Sequence, residues 1–329
     1  MRKKALVLSA FLTSAAVLLS CVPWSVSAET SSGGGRALVC VEAGNGESLL
    51  QAEGTGNYSW EPLMDVSDAE GDGTLNSSEG STREIMLVTS SWMSTDELIS
   101  KLEQRSDVLY AEPDTEVSVD WEGSEETDLL SSSSIADYTS FQWGLQNNGT
   151  MEDGTAGYDI GNTEKLKGSS DVIIAVEDSG IQYDHPSLAS RMYDLSAYPQ
   201  LMKDTGCGKY GINFSTDNGK YGSNDVMDRA GHGTHCAGII CADGTNGGTQ
   251  GVMSDARLIA VRTLNAKGSG STSQQVAGFN WLVQAKTKYG VNIRAMSYSV
   301  GGPNASYSEK LALEEMEKAG ITPDRSFRK

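Results

Sequence analysis

Two short stretches carry the residue types from which acid–base chemistry is made. The first is Asp178-Ser179-Gly180, which follows the apolar run Val172-Ile173-Ile174-Ala175-Val176 and one intervening residue, Glu177. A continuous β-branched run of this kind marks a parallel strand buried on both faces. A carboxylate at the C-terminal edge of such a strand stands where open α/β sheets place their active sites. Taken alone, the tripeptide reads more readily as a turn. The second stretch is Gly231-His232-Gly233-Thr234-His235-Cys236-Ala237-Gly238, a histidine opening a helix among glycines that let other backbone come close. A lone histidine is as a rule structural. The chain has only 3, however, and His232 and His235 both fall in this motif. Zinc is the competing chemistry. His232 and His235 stand i,i+3 with no Glu or Cys completing a known ligand signature, and Cys236 is expected to point elsewhere.

The elements around these motifs divide the chain. Ala37 to Glu42, Glu84 to Thr89 and Val108-Leu109-Tyr110 read as short strands. A helix is expected from Thr95 to Gln104, with Ser94 and Glu97 as a capping box and Leu98 and Leu102 on one face. Residues 53–82 are polar and rich in Gly, Ser, Asp and Glu, and read as a long flexible insertion. Residues 117–140 are acidic and Ser-rich and read as an exposed connector. Beyond about Ser140, helical spacing over His232–Ala242, Ser273–Lys288 and Ser306–Ala319 alternates with strands at Val172–Val176, Ala256–Val261 and Ile293–Tyr298. That alternation predicts an α/β domain with a parallel sheet, preceded by a small α+β domain.

Taken together, these residues resemble the subtilisin-like serine protease family over roughly residues 85–320. Ile173-Ile174-Ala175-Val176-Glu177-Asp178-Ser179-Gly180, with His185-Pro186 beyond it, resembles the family's Asp motif, Val-Ile-Ala-Val-x-Asp-Ser-Gly. Gly-His-Gly-Thr-His-Cys-Ala-Gly is close to diagnostic, and the order Asp then His agrees. The resemblance implies that Asp178 orients the imidazole and that His232 is general base, then acid, for a serine nucleophile, with His235 a structural partner. It implies that Gly268-Ser269-Gly270 is an extended strand pairing with substrate backbone. Ser299, Val300 and Gly301, followed by Gly302-Pro303, would be the opposite wall. Ordinary Gly/Ser turns are the alternative for both. Asp107-Val108-Leu109-Tyr110-Ala111-Glu112-Pro113 resembles the end of an inhibitory prosegment, which makes residues 29–130 an intramolecular chaperone and inhibitor. Phe141-Gln142-Trp143-Gly144-Leu145 resembles the start of a mature domain. The implied arrangement is a signal peptide at 1–28, a prosegment at 29–130 and the N-terminal part of a peptidase domain at 131–329. The implied activity is hydrolysis of protein substrates through an acyl-enzyme.

The sequence departs from the family at several positions. No Gly-Thr-Ser-x-Ala motif is present to supply the nucleophile, and no Ala-Gly-Asn segment to supply an oxyanion-hole donor, a group worth roughly 3 kcal/mol. None of Ser269, Ser297 and Ser299 opens a helix beside His232. Loss of the triad serine costs about a millionfold in kcat, so the chain as written is expected to be inactive. Its second domain is expected to be marginally stable. Residues 321–329 lack an aliphatic run, and Pro323 argues against a central strand. Ser187 stands where a family member has a calcium-binding carboxylate. Calcium is therefore left to Asp243, Asn246 and nearby carbonyls, where a plain turn is the alternative, and no cofactor is required. Glu177 replaces an aliphatic residue and, if buried, needs a partner or a raised pKa. The rival readings are a pseudoprotease or a prosegment-type inhibitor of other subtilases, and a zinc-binding domain built on His232 and His235.

Composition sets the wider bounds. Arg2, Lys3 and Lys4, the apolar stretch Ala5–Leu19 and Val26-Ser27-Ala28 form an export signal, so a secreted protein is expected. Leu18-Leu19-Ser20-Cys21 resembles a lipobox, and lipidation of Cys21 would tether the protein to a membrane. Net charge is -19. Residues 29–140 hold 24 acidic and 4 basic side chains, against 20 and 18 in residues 141–329, so the acidity belongs to one segment. It argues against a nucleic-acid partner, which needs a basic footprint. Of the cysteines Cys21, Cys40, Cys207, Cys236 and Cys241, the last two lie on different helix faces and are not expected to pair.

Overall fold

The computed structural model describes residues 34–42, 44–45, 58–67, 82–119, 142, 167–217, 222–245 and 248–325. The export signal with Cys21, most of the connector, the segment 143–145, Asn246 and residues 326–329 lie outside the described residues.

The N-terminal unit is a four-stranded antiparallel sheet in the order β2-β3-β1-β4. Its strands are β1 (Gly35–Glu42), β2 (Tyr58–Ser67), β3 (Thr82–Ser90) and β4 (Val108–Pro113), with helix α1 (Thr95–Leu102) between β3 and β4. The expected capping box starts α1: Ser94 Oγ accepts from Glu97 N, and Ser94 N donates to the Glu97 carboxylate. Strand alternation divides β1 between two cores. Ala37, Val39 and Val41 pack with Leu98 and Leu102 of α1, whereas Leu38 and Cys40 face the rest of the molecule. Residues 58–67, read as part of a flexible insertion, form β2, because Leu63, Met64 and Val66 are buried in the second of these cores. The polar flanks hid that short apolar cluster.

The second unit is a five-stranded sheet in the order β11-β10-β6-β8-β7, with every pairing parallel. Strand β6 (Ile173–Asp178) is central and all its residues are buried, as its β-branched run predicts. Beside it lie β8 (Arg257–Arg262) and β10 (Ile293–Tyr298), and outside these β7 (Gly211–Asn213) and β11 (Thr322–Arg325). Four helices complete the unit: α2 (Pro199–Thr205), α3 (His232–Cys241), α4 (Thr272–Thr287) and α5 (Tyr307–Lys318). Residues 322–325 are a strand despite Pro323. They occupy the sheet edge, where a missing N–H costs no central ladder bond.

The N-terminal unit docks on the starts of α4 and α5. Glu112, at the end of β4, accepts from Tyr307 N, Ser308 N and Ser306 Oγ. Asp114 accepts from Ser273 N and Ser273 Oγ, and its Oδ2 also pairs with Arg36 at 2.7 Å. These helix-terminal N–H groups have no intrahelical partner and carry the positive end of the helix dipole, so a carboxylate satisfies both demands. Between the units, Leu63 O accepts from Asn280 Nδ2 at 2.6 Å. Helix α4 is buried over most of its surface, with Phe279, Trp281 and Leu282 fully enclosed.

Asp114→Ala is expected to lower unfolding stability by about 3 kcal/mol, because it strips both a helix start and the Arg36 guanidinium of an anion. Glu112→Ala is expected to cost about 1–2 kcal/mol. Urea denaturation followed by tryptophan fluorescence measures both.

Candidate functional site

The site forms where the C-terminal end of β6 meets the N-terminal end of α3. Asp178 is the last residue of β6 and is 1% exposed. Its Oδ1 accepts from Ser179 N at 2.6 Å, and its main-chain carbonyl accepts from Thr263 N and Leu264 N. His232 is the first residue of α3, and the glycines around it set how close it comes. Gly231, the N-cap, has φ of 91°, a left-handed conformation that a side chain disfavours. A Cβ on Gly233 would run into the carbonyl oxygen of Gly180, so only glycine lets the helix start lie against the strand end.

This approach places His232 Nδ1 at 2.8 Å and 2.9 Å from the two carboxylate oxygens of Asp178. Nδ1–H donates to the carboxylate, which leaves Nε2 directed away from it. The hydrogen bond to Asp178, seconded by Cys236 and opposed by burial, pushes the imidazole pKa up to about 10.

Cys236 is placed differently from the sequence expectation. One helical turn beyond His232, its Sγ lies 3.9 Å from His232 Nδ1. Among the described residues, Asp178, His232 and Cys236 are the one set offering three metal-ligand atoms within 4.8 Å of one another. The Nδ1 of that set already shares its proton with Asp178. His235 is on the exposed side of α3 and belongs to no such set. The Asp243 carboxylate, considered for calcium, accepts from Ser190 Oγ and Thr245 N and has the Arg191 guanidinium 3.9 Å away. Ser187 is buried, its N donating to His185 Nδ1.

The two expected cleft walls face one strand of the chain itself. Strand β9 (Ser269–Ser271) pairs antiparallel with β5 (Glu116–Ser118). On its other side β5 bridges Gly301: Ser118 N donates to Gly301 O at 2.9 Å, and Gly301 N donates back to Ser118 O at 3.1 Å. Val119 N donates to Gly268 O at 3.0 Å. Gly268, Ser269, Gly270 and Gly301 are thus brought to one peptide backbone. Val300 is 5% exposed beside them, while Ser299 is half-buried. The start of the acidic segment, expected to be an exposed connector, is instead this strand, with Val117 buried against Gly302. An acidic composition masked the Val117-Ser118-Val119 alternation.

Glu177 points to the opposite face of β6, toward α4, where its carboxyl packs on Gly278. It is fully buried, and neither oxygen has a hydrogen-bond partner. Burial, then the charges of Glu309 on α5 and Asp178 on its own strand, raise its pKa well above the usual carboxylate range. A carboxyl raised on folding contributes stability that is fully present below its unfolded pKa, near 4.5, and is lost as pH rises through the folded value. Over that window stability falls by up to about 1.4 kcal/mol per pH unit. Glu177→Gln is expected to remove this slope, so the variant's melting temperature gains on the parent's as pH rises above the unfolded value. Thermal melts across that range measure it.

Residues 169–325 match the Subtilase family. The chain is 28% identical to Subtilisin-like protease 1 of Arthroderma gypseum over 68% of its own length and 38% of that protein's. It is 32% identical to the cuticle-degrading serine protease of Arthrobotrys oligospora, over 57% of this chain and 39% of that one. With the major intracellular serine protease of Bacillus subtilis it shares 32% identity over 47% of this chain and 42% of the relative. The matched stretch thus spans about two fifths of each relative. The homology to subtilisin-like serine proteases thus rests on the part of the chain that holds Asp178 and His232, and this Asp–His cluster is triad-like.

Proposed function

We propose that this chain carries the acid–base half of a serine-type endopeptidase acting on extended peptides. The observation that carries the reading is the Asp178–His232 hydrogen bond at a strand end and a helix start. In the proposed chemistry Asp178 holds the ring by Nδ1–H and stabilises the imidazolium. Nε2 takes a proton from a serine hydroxyl and later returns it to the leaving amine. Gly268, Ser269 and Gly270 on one side, with Ser299, Val300 and Gly301 on the other, would hold the substrate as an added strand through main-chain bonds.

The 329 residues contain no Gly-Thr-Ser-x-Ala segment, so on this reading they hold two of the three triad residues and do not turn over peptides unaided. Purified chain incubated with casein is expected to show no hydrolysis above a His232→Ala control. Hydrolysis that disappears in that control would overturn the assignment of inactivity and locate another nucleophile.

A second reading is favoured by β5. The end of the N-terminal unit lies between the walls assigned to substrate, as an inhibitory prosegment would. Residues 29–130 then act as inhibitor and folding partner in cis, or on related proteases in trans, and residues 1–28 direct export. Lipidation of Cys21 would be the one route to membrane tethering. Ser118→Pro removes the donor to Gly301 O and is expected to raise amide exchange at Gly301, whose N–H donates to Ser118 O, at least about tenfold, which hydrogen-exchange mass spectrometry reads directly.

A further inference from the structure

Helix α3 begins without a cap of its own. Its N-cap, Gly231, has no side chain to accept the first-turn N–H groups, yet this is the turn that carries His232. Two residues from elsewhere accept them. Gly233 N donates to Ser179 Oγ at 3.0 Å, and Thr234 N donates to Asp228 Oδ2 at 2.8 Å. These acceptors are joined, because Ser179 Oγ donates to Asp228 Oδ1 at 2.9 Å.

Asp228 is saturated with donors. Its Oδ1 also accepts from Ala230 N and Gly231 N, each at 2.9 Å, and its Oδ2 from Thr234 Oγ1 at 2.6 Å. Every one of these partners is a donor, so the position requires two acceptor oxygens. An asparagine offers one, and its amide would face donors. Ser179 is fully buried and directly follows Asp178, to whose Oδ1 it donates through its own N–H. A second tie runs parallel: Thr234 Oγ1 accepts from Gln182 N at 2.9 Å, again joining the loop after β6 to α3.

We propose that Ser179 and Asp228 form a positioning relay that fixes His232 against Asp178, linking the strand end to the helix start independently of the Asp178–His232 bond itself. The proposal rests on the reading of that pair as the acid–base unit. It assigns Ser179 and Asp228 no contact with substrate. Its physical basis is that a hydrogen bond to an imidazole retains its strength only while donor and acceptor are held in line.

The test uses the full chain labelled with ¹⁵N-histidine and follows His232 by NMR through a pH titration, a readout that needs no turnover. Ser179→Ala deletes one oxygen and leaves every charge in place; Ser179→Thr restores the hydroxyl; Asp228→Asn keeps a single acceptor. The relay predicts that the proton affinity of His232 falls about tenfold or more in Ser179→Ala and Asp228→Asn, with loss of the low-field Nδ1 proton signal, and is retained in Ser179→Thr. Near-UV circular dichroism on the same samples reports the fold. Unchanged titration in a folded Ser179→Ala chain would overturn the relay while leaving the Asp178–His232 pair standing. A fall in Asp228→Asn alone would also overturn it, assigning the effect to the lost charge. An ordinary titration of His232 in the unmodified chain would overturn the pair and the relay together.

Discussion

A carboxylate buried at the centre of a parallel sheet must be given partners, and this requirement at Asp178 organises the second unit. The strand that carries it is enclosed on both sides by other strands, so water is not available as a partner. The hydrogen bonds come instead from the following residue's N–H and from the imidazole of His232. Bringing that ring to the strand end requires a helix that begins there, which in turn requires glycine at 231 and 233. The same low-polarity surroundings that make an unpaired charge costly make the paired one effective, since they strengthen its hold on the imidazolium. One position earlier, Glu177 meets the same surroundings with no partner and takes the other course open to an acid, which is to keep its proton.

The N-terminal unit answers a parallel requirement at the helices. The starts of α4 and α5 point at its sheet, and each would present unpaired N–H groups were Glu112 and Asp114 not there. The two carboxylates lie on either side of Pro113 at the end of β4, and the chain continues from them directly into β5. Docking of the sheet and occupation of the groove between Gly270 and Gly301 are therefore consecutive consequences of one stretch of eight residues, 112–119. Apolar packing adds to this, since Leu38, Cys40, Ile85 and Leu87 share a core with Phe279 and Trp281.

Much of this is readable from residue order. The β-branched run at 173–176, the glycines around His232, the Ser94–Glu97 capping box and the helical spacing of Leu98 and Leu102 state their local structure plainly. The Asp and His motifs also bear their resemblance openly. Other features depend on partners distant in sequence and were hidden. Strand β2 puts Leu63, Met64 and Val66 in one core and packs Tyr58 and Trp60 against the other, a division that its polar sequence neighbours conceal. Pro323 argues against a central strand, and only the edge position of β11, set by the whole sheet, admits it. Cys236 was expected to diverge from the site, although four residues is one helical turn and brings its thiol toward His232. Asp228 stands four residues before the histidine, and nothing in its neighbours announces five donors converging on one carboxylate.

The pairing of β5 with β9 has a kinetic consequence. Ser118 and Ser269 are adjacent in space but separated by most of the second unit in sequence, as are Asp114 and Ser273. Contacts of such long separation close late and slowly, because the loop between them must be restrained before the contact repays it. The N-terminal sheet, by contrast, closes over shorter separations, the widest being that of Ala37 from Pro113. It is thus the part of the chain able to form early, and once formed it offers two fixed anions and a prepared strand edge against which α4, α5 and β9 can settle.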